Sequence, residues 1–333
     1  MNAAAELVHP RDAVGLERID FAADAFESAL ASGRMHHAWL LTGPKGVGKA
    51  SFAYRMACRL LGGRPAPGSG PLGSAPDDPV HRLVSARAHP DLLVLEPGGE
   101  DGKSSVISVE DARLAPVFFS KARAIAPFRV VIVDAVDDMN VAAANAVLKT
   151  LEEPPEKGVL LLVSHAPGRL LPTIRSRCRR LAFPPWPDES IAAFAEARLR
   201  LDGEEAGRLA GMIRGAPGRA LTLHAAGVLD VDATVRELIE ALPSADLPSL
   251  AKLADGLRGA EAVGRFGLLM DRLGEAARER AEIGRGEAAE RWVRAWTRLA
   301  SLHRQVEGLN SDRVEAFWAA IAELRAAAEA APC

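Results

Sequence analysis

The stretch LLTGPKGVGKAS, Leu40–Ser51, holds the residues of this sequence that are best suited by type and spacing to chemistry. Gly43, Gly48 and Lys49 spell G-x-x-x-x-G-K, with Gly46 inside it, between an apolar run and the helical pattern ASFAYRMACRLL. Strand, Gly-rich loop and helix in that order form a phosphate-binding loop. Backbone N–H groups close around phosphate oxygens, the helix N-terminus adds partial positive charge, and Lys49 reaches the outer phosphates. Hydrolysis needs more. The hydroxyl that would ligate magnesium is missing, because Lys49 is followed by Ala50. Ser51 is a poor substitute, one residue on and so ~100° further around the helix. The run RVVIVDAVDDM repeats the theme: Asp134 could hold a metal-bound water, but Ala135 stands where a Glu would orient and deprotonate the attacking water. Asp137 and Asp138 read better as acidic residues opening a helix than as replacements for it.

The elements that must position these residues are legible as short, consecutively apolar runs at 37–43, 91–97, 129–135, 158–166 and 179–185. Unbroken apolar runs suit strands buried on both faces of a parallel sheet. Between them, NVAAANAVLKTLEEPP predicts a helix capped by Asn140, stopped by Pro154 and Pro155, with Val141, Ala144, Leu148 and Leu151 on its apolar face. Ser108 and Asp111 are spaced as a capping box for a second helix that Pro116 is expected to kink. Strands alternating with helices imply a doubly wound α/β domain with its ligand site at the carboxyl ends of the strands. Segment 62–79, rich in Gly, Pro, Ser and Ala, reads as a mobile insertion. After Pro187 the pattern is helical: three short helices, then longer ones, including RWVRAWTRLASLH with Trp292, Trp296, Leu299 and His303 on one face.

A chain of 333 residues, 48% hydrophobic and 26% charged, has room for two or three domains, and its formal net charge of -3 confines any nucleic-acid contact to a local patch. Three cysteines, Cys58, Cys178 and Cys333, far apart and odd in number, suggest reduced thiols in a cytoplasmic protein, and no apolar run approaches a membrane span. One Tyr, ten Phe and five Trp offer no obvious base-stacking platform, which disfavours an independent nucleic-acid binder.

The strings GRMHHAWLLTGPKGVGKA, HPDLLVLEP, RVVIVDAVDDMNVAAANAVLKTLEEPP, LLPTIRSRCRRLAF and GAPGRAL resemble the clamp-loader subunits of bacterial DNA polymerase III, most of all the delta-prime family, within the AAA+ superfamily. The resemblance is close over 33–221. It implies a RecA-like AAA+ domain with a five-stranded parallel sheet over 1–186, a small helical lid over 187–230 and an all-α collar over 231–333. It also implies a role in DNA replication, loading the sliding clamp onto primed DNA together with the clamp-loader ATPase subunits and the delta subunit. In Ser176-Arg177-Cys178, Arg177 matches the arginine finger that clamp loaders extend onto ATP held by an adjacent subunit; Arg175, Arg179 and Arg180 match no such role and read as solvated surface. Arg219 matches the second-sensor arginine of the lid, with simple lid packing as an equal alternative, and Ser164 falls at the first-sensor position. Some family members bind zinc through four cysteines after the phosphate loop; with Cys58 alone in that region, no zinc and no other metal is expected, and His81 and His89 read as ordinary histidines. The vestigial nucleotide site would then comprise Gly43, Gly46, Gly48, Lys49, Ala50, Ser51, Asp134 and Arg219. No cofactor is required, ATP binding stays open, and no ATPase activity is expected of the chain alone. An active ATPase subunit of the same assembly would carry a hydroxyl after Lys49 and a Glu after Asp134; an unrelated P-loop enzyme would not be expected to carry the Ser-Arg-Cys motif.

Overall fold

The computed structural model describes residues 9–66, 70, 72–98, 106–242, 244–309 and 312–329. All five apolar runs are strands: β1 (Ala38–Thr42), β2 (Leu92–Leu95), β3 (Arg129–Asp134), β4 (Gly158–Ser164) and β5 (Arg179–Ala182). They form one parallel sheet in the order β2-β3-β4-β1-β5. The helices around them are α1 (Asp20–Ala31), α2 (Lys49–Leu60), α3 (Pro79–Ser85), α4 (Val109–Ser120), α5 (Val141–Glu152) and α6 (Pro172–Ser176). Alternate strand residues enter two separate apolar cores. Trp39 and Leu41 of β1 pack with Phe26 of α1 and with Phe52 and Met56 of α2, whereas Ala38 and Leu40 face Ala112 of α4 and Val147 of α5. A strand covered on both sides needs apolar residues at every position, which is why the runs do not alternate.

The helix α1 was not anticipated, although Ala22, Phe26 and Ala29 share its buried face at helical spacing. Helix α4 has the expected capping box, Asp111 N–H to Ser108 Oγ at 3.1 Å and Ser108 N–H to the Asp111 carboxylate at 3.0 Å, and runs through Pro116 to Ser120. Asn140 caps α5, accepting from Ala143 N–H at 2.8 Å. The buried face of α5 differs from expectation: Val141 is 71% exposed, and the core side is Ala143, Val147, Thr150 and Leu151. With Ala at several positions around this helix, two apolar stripes are available, and packing against β3 and β4 selects between them.

Within segment 62–79, residues 67–69 and 71 lie outside the described set, and several of the others make specific contacts. Pro65 and Ser74 form an isolated bridge, Leu72 joins the core, and buried Arg55 of α2 donates to Ser74 Oγ, to His81 Nδ1 at 2.9 Å and to Arg11 O at 3.0 Å. His81 and His89 are both buried and hydrogen-bonded, His89 Nδ1 accepting from Asp91 N–H at 3.1 Å.

The chain divides into two compact units, Met1–Leu221 and Thr222–Cys333. The first includes two of the expected short helices, α7 (Asp188–Leu199) and α8 (Gly203–Ile213), while the third, α9 (Pro217–Ala225), begins within it. The second unit contains α10 (Val228–Ala241), α11 (Leu247–Asp255), α12 (Val263–Ile283), α13 (Glu287–Leu309) and α14 (Arg313–Ala328). Its core draws Leu273 and Ala277 from α12, Ala295, Leu299 and Leu302 from α13, and Phe317, Ile321 and Leu324 from α14. The aromatic stripe foreseen on α13 is therefore rotated: Leu299 is buried, but Trp296 is 41% exposed. Asp232 of α10, itself buried, pairs with Arg272 of α12 at 2.6 Å and with Arg236 at 2.9 Å. Among the described residues no helix is long and apolar enough to cross a membrane.

Candidate functional site

Strand register brings the candidate residues to one edge of the sheet. Thr42 lies opposite Ser164 and Ala182, and Asp134 opposite Val163, so the carboxyl ends of β1, β3, β4 and β5 are level. The Gly-rich loop leaves β1 there, and α2 begins at Lys49. Gly43 has φ +147° and Gly46 φ +86°, conformations that side chains rarely tolerate. Space forbids a side chain as well: a Cβ on Gly43 would lie 2.3 Å from Phe183 O, and one on Gly46 would lie 2.9 Å from Arg219 N. Gly218 N–H donates to Gly46 O at 2.8 Å, so the start of α9 rests directly on the loop. The backbone of Arg219 thereby lies against the loop, with its side chain exposed.

Lys49 is turned inward. Only 2% exposed, its ammonium donates to Gly43 O and Pro44 O, both at 2.7 Å, and burial lowers its pKa to about 8 against the upward pull of Asp134 and Asp137. Asp134 shows the complementary effect: burial raises its pKa to about 6, Glu96 adds to this, and Lys49 opposes it. Ala50 presents a methyl group at the start of α2, and Ser51 is half-buried one position on.

Ala135 is 2% exposed, in packed surroundings. Asp137 does more than open a helical turn. It accepts from Ser164 Oγ at 2.9 Å, from Ala166 N–H at 3.1 Å and from His165 N–H, which ties the turn at Val136–Asp138 to the end of β4. Ser164, the last residue of β4, is thus engaged with Asp137. Of the groups that magnesium-dependent hydrolysis uses, position 50 has no hydroxyl and position 135 no carboxylate, while Asp134 is present and Lys49 is bonded to the loop carbonyls.

Beside the loop lies a cleft of about 440 Å³ that the sequence reading missed, lined by Arg18, Phe21, Val47, Phe183 and Trp186 among others. Phe21 and Phe183 meet edge to face at 5.6 Å between ring centres, and the Arg18 guanidinium sits 5.7 Å from the Trp186 ring centre. Aromatic walls with one cation suit a planar ring. The signal in the sequence is the FPPWP run immediately after β5, in which three prolines stiffen the backbone that carries Phe183 and Trp186.

Arg177 is elsewhere. It caps the C-terminal end of α6 and precedes β5, whose first residue, Arg179, pairs with Trp39 near the start of β1. Its guanidinium donates to Thr173 O at 3.2 Å and pairs with Glu152 at 3.1 Å, with 37% of the side chain exposed. Its neighbours differ: Arg175 is exposed, Arg179 lies 4.6 Å from the Trp39 ring centre, and Arg180 Nε donates to Thr42 Oγ1 at 3.1 Å.

No group of three or more His, Cys, Asp or Glu could hold a metal ion among the described residues. Cys58 is buried in α2, and burial pushes its thiol up to about 11; Cys178 is pushed up to about 12 in the same way, and Cys333 lies outside the described residues.

A family model described as DNA polymerase III, delta subunit, matches residues 20–187. The DNA polymerase III subunit delta' of Pseudomonas aeruginosa is 39% identical over 207 residues, covering 62% of this chain and 61% of that protein. That of Escherichia coli K12 is 31% identical over 229 residues, covering 68% and 66%. The match thus spans less than two thirds of either relative. Among solved structures, a DNA polymerase III gamma-subunit-related protein of Thermotoga maritima aligns over 93% of this chain and 99% of that one, with a TM-score of 0.45 and 19% identity.

Proposed function

This chain belongs to the DNA polymerase III delta subunit family, and from that membership we propose that it is a delta-prime-type clamp-loader subunit that does not hydrolyse ATP itself and lends Arg177 to ATP held by a neighbouring subunit. Its partners are then the clamp-loader ATPase subunits and the delta subunit, with the sliding clamp and primed DNA engaged through the complex. On this reading the sheet domain over 1–186 and the lid over 187–230 hold the geometry, and the helices over 231–333 form the collar.

The observation that carries the reading is the state of the carboxylates at the end of β3. Position 135, where the water-orienting carboxylate would stand, is a buried alanine, and Asp137 is engaged by three donors from the end of β4. The carboxylate that would orient an attacking water is thus missing from its place after Asp134. Arg177 complements this from the opposite end of the strands. The four residues of β5 separate it from the loop edge by ~13 Å, beyond the reach of an arginine side chain towards its own loop, so Arg177 is not placed to serve a phosphate held there. A guanidinium suits the role in trans because its planar fork stays charged and engages phosphate oxygens in pairs.

The test is the clamp- and DNA-stimulated ATPase of the assembled complex carrying Arg177→Ala. The complex should assemble normally, and turnover at the neighbouring site should fall about 10³-fold or more, leaving the rate sustained by sites that Arg177 does not serve. Arg177→Lys should recover little. Wild-type turnover and clamp loading by a normally assembled Arg177→Ala complex would make Arg177 a surface arginine. Steady phosphate release by the isolated chain, abolished by Lys49→Ala, would overturn the non-hydrolysing part.

A further inference from the structure

Arg177 is held at two points before any partner reaches it. One is the carbonyl of Thr173, one turn back in α6, and the other is the carboxylate of Glu152, the last residue of α5. We infer that Glu152 is a positioning residue for Arg177, orienting the guanidinium so that its remaining donors face outward to a neighbouring chain's phosphate; this rests on the reading of Arg177 as a finger in trans.

The fold gains little from this ion pair. Ile174, Leu171 and Cys178 already pack with Leu148 and Leu151 in one apolar cluster, which joins α6 to α5 without it. Both partners are substantially exposed, 37% for Arg177 and 51% for Glu152, and pairs of that kind contribute little to stability. The carboxylate also stands where a helix disfavours it, at the C-terminal end, which carries partial negative charge, so Arg177 offsets a local electrostatic cost. What the pair can change is orientation. An unheld arginine is spread over many rotamers, and that freedom must be lost when it meets phosphate. The Thr173 carbonyl engages one of its five N–H donors and the Glu152 carboxylate holds the charged end beside it, which narrows the rotamers while leaving donors for a ligand. The pair is also weak enough that a triphosphate, with its greater negative charge, can share the guanidinium without first breaking it.

The closing experiment is a double-mutant cycle on the stimulated ATPase of the assembled complex, comparing wild type, Glu152→Gln, Arg177→Ala and the double variant. Glu152→Gln should remove about half or more of the Arg177-dependent part of kcat, leave KM for ATP unchanged and leave the urea midpoint of the isolated chain unmoved. Glu152→Asp, which keeps the charge on a shorter arm, should recover part of the loss, and the double variant should be no slower than Arg177→Ala. Wild-type kcat for Glu152→Gln beside a slow Arg177→Ala overturns this inference and leaves the finger reading standing. So does a faster Glu152→Gln complex, which would make the pair a restraint, or an additive double variant. A wild-type rate for Arg177→Ala removes the finger reading and this inference with it.

Discussion

The two ends of β3 place a cation near an aspartate in buried surroundings, and the two pairs behave in opposite ways. At the start, Arg129 Nε donates to Asp91 at 3.2 Å, and Asp91 also accepts from the backbone N–H of Ala124, Ile125 and Ala126 at 2.8, 2.8 and 3.0 Å. Burial alone would raise the Asp91 pKa; the three amides and Arg129 outweigh it and hold the carboxyl at about 2. Arg129 is in turn satisfied by the carbonyls of Phe118 and Lys121 and covers the Phe118 ring. At the far end Asp134 and Lys49 are displaced towards each other, to about 6 and about 8, because burial outweighs their mutual attraction. Burial is common to both ends. Donor count decides whether a buried charge is comfortable, and the end that lacks donors is the one beside the phosphate loop.

The largest effect that could break this comparison is Asp91→Ala. It would leave a buried guanidinium and three amides without their acceptor and should cost about 3–5 kcal/mol in chemical denaturation. A loss under ~1 kcal/mol would show that Asp91 is no better served than Asp134. Next, Gly46→Ala should cost about 1–3 kcal/mol, and more than Gly48→Ala. Both have positive φ, but only at Gly46 would a Cβ meet the Arg219 backbone. Equal losses in Tm would mean that α9 does not hold the loop, and rigidity at this end would have to be sought elsewhere.

The pH dependence of stability separates the two aspartates by sign. Asp134 binds its proton more tightly in the folded state, so its contribution favours folding at low pH and diminishes as pH rises from 3.8 to about 6. The slope from this group is at most about 1.4 kcal/mol per pH unit. Asp91 runs the other way: its contribution is present above 3.8 and is lost as pH falls towards about 2. Urea midpoints measured between about pH 4 and 6 should show a component that Asp134→Asn flattens; an unchanged slope would mean that burial does not disfavour that carboxylate. The smallest expected effect is that of Ala50→Ser. Restoring the hydroxyl should leave phosphate release at background, since position 135 is still Ala, and should alter stability by no more than about 0.5 kcal/mol. Steady turnover from that single change would show that the missing hydroxyl alone had silenced the site.

Much of the scaffold was readable in advance because its signals are local. Five apolar runs marked the strands, Asn140 and Ser108 with Asp111 marked helix starts, and Gly43 to Lys49 marked the loop. The misreadings came where sequence left several equivalent choices. An alanine-rich α5 has more than one apolar stripe, so Val141 was assigned to the wrong side. In 62–79, the contact of Ser74 with buried Arg55 could not be read from Gly, Pro and Ser content, because Arg55 lies in a different element. Arg18, Phe21 and Trp186 meet in one cleft only because α1 and the segment after β5 converge beside the loop.

Sequence by itself determined which groups this protein lacks. No fold can supply a hydroxyl at Ala50 or a carboxylate at Ala135, and an arginine at 177 is charged wherever it is placed. The tertiary structure alone decided what the remaining groups do. It drew Asp137 onto the end of β4, turned Lys49 towards its own loop carbonyls, rested Gly218 on Gly46 and set Glu152 beside Arg177. Each of these outcomes depends on desolvation and on donors brought close by the packing of loops, helices and strands, quantities that exist only once the chain has folded.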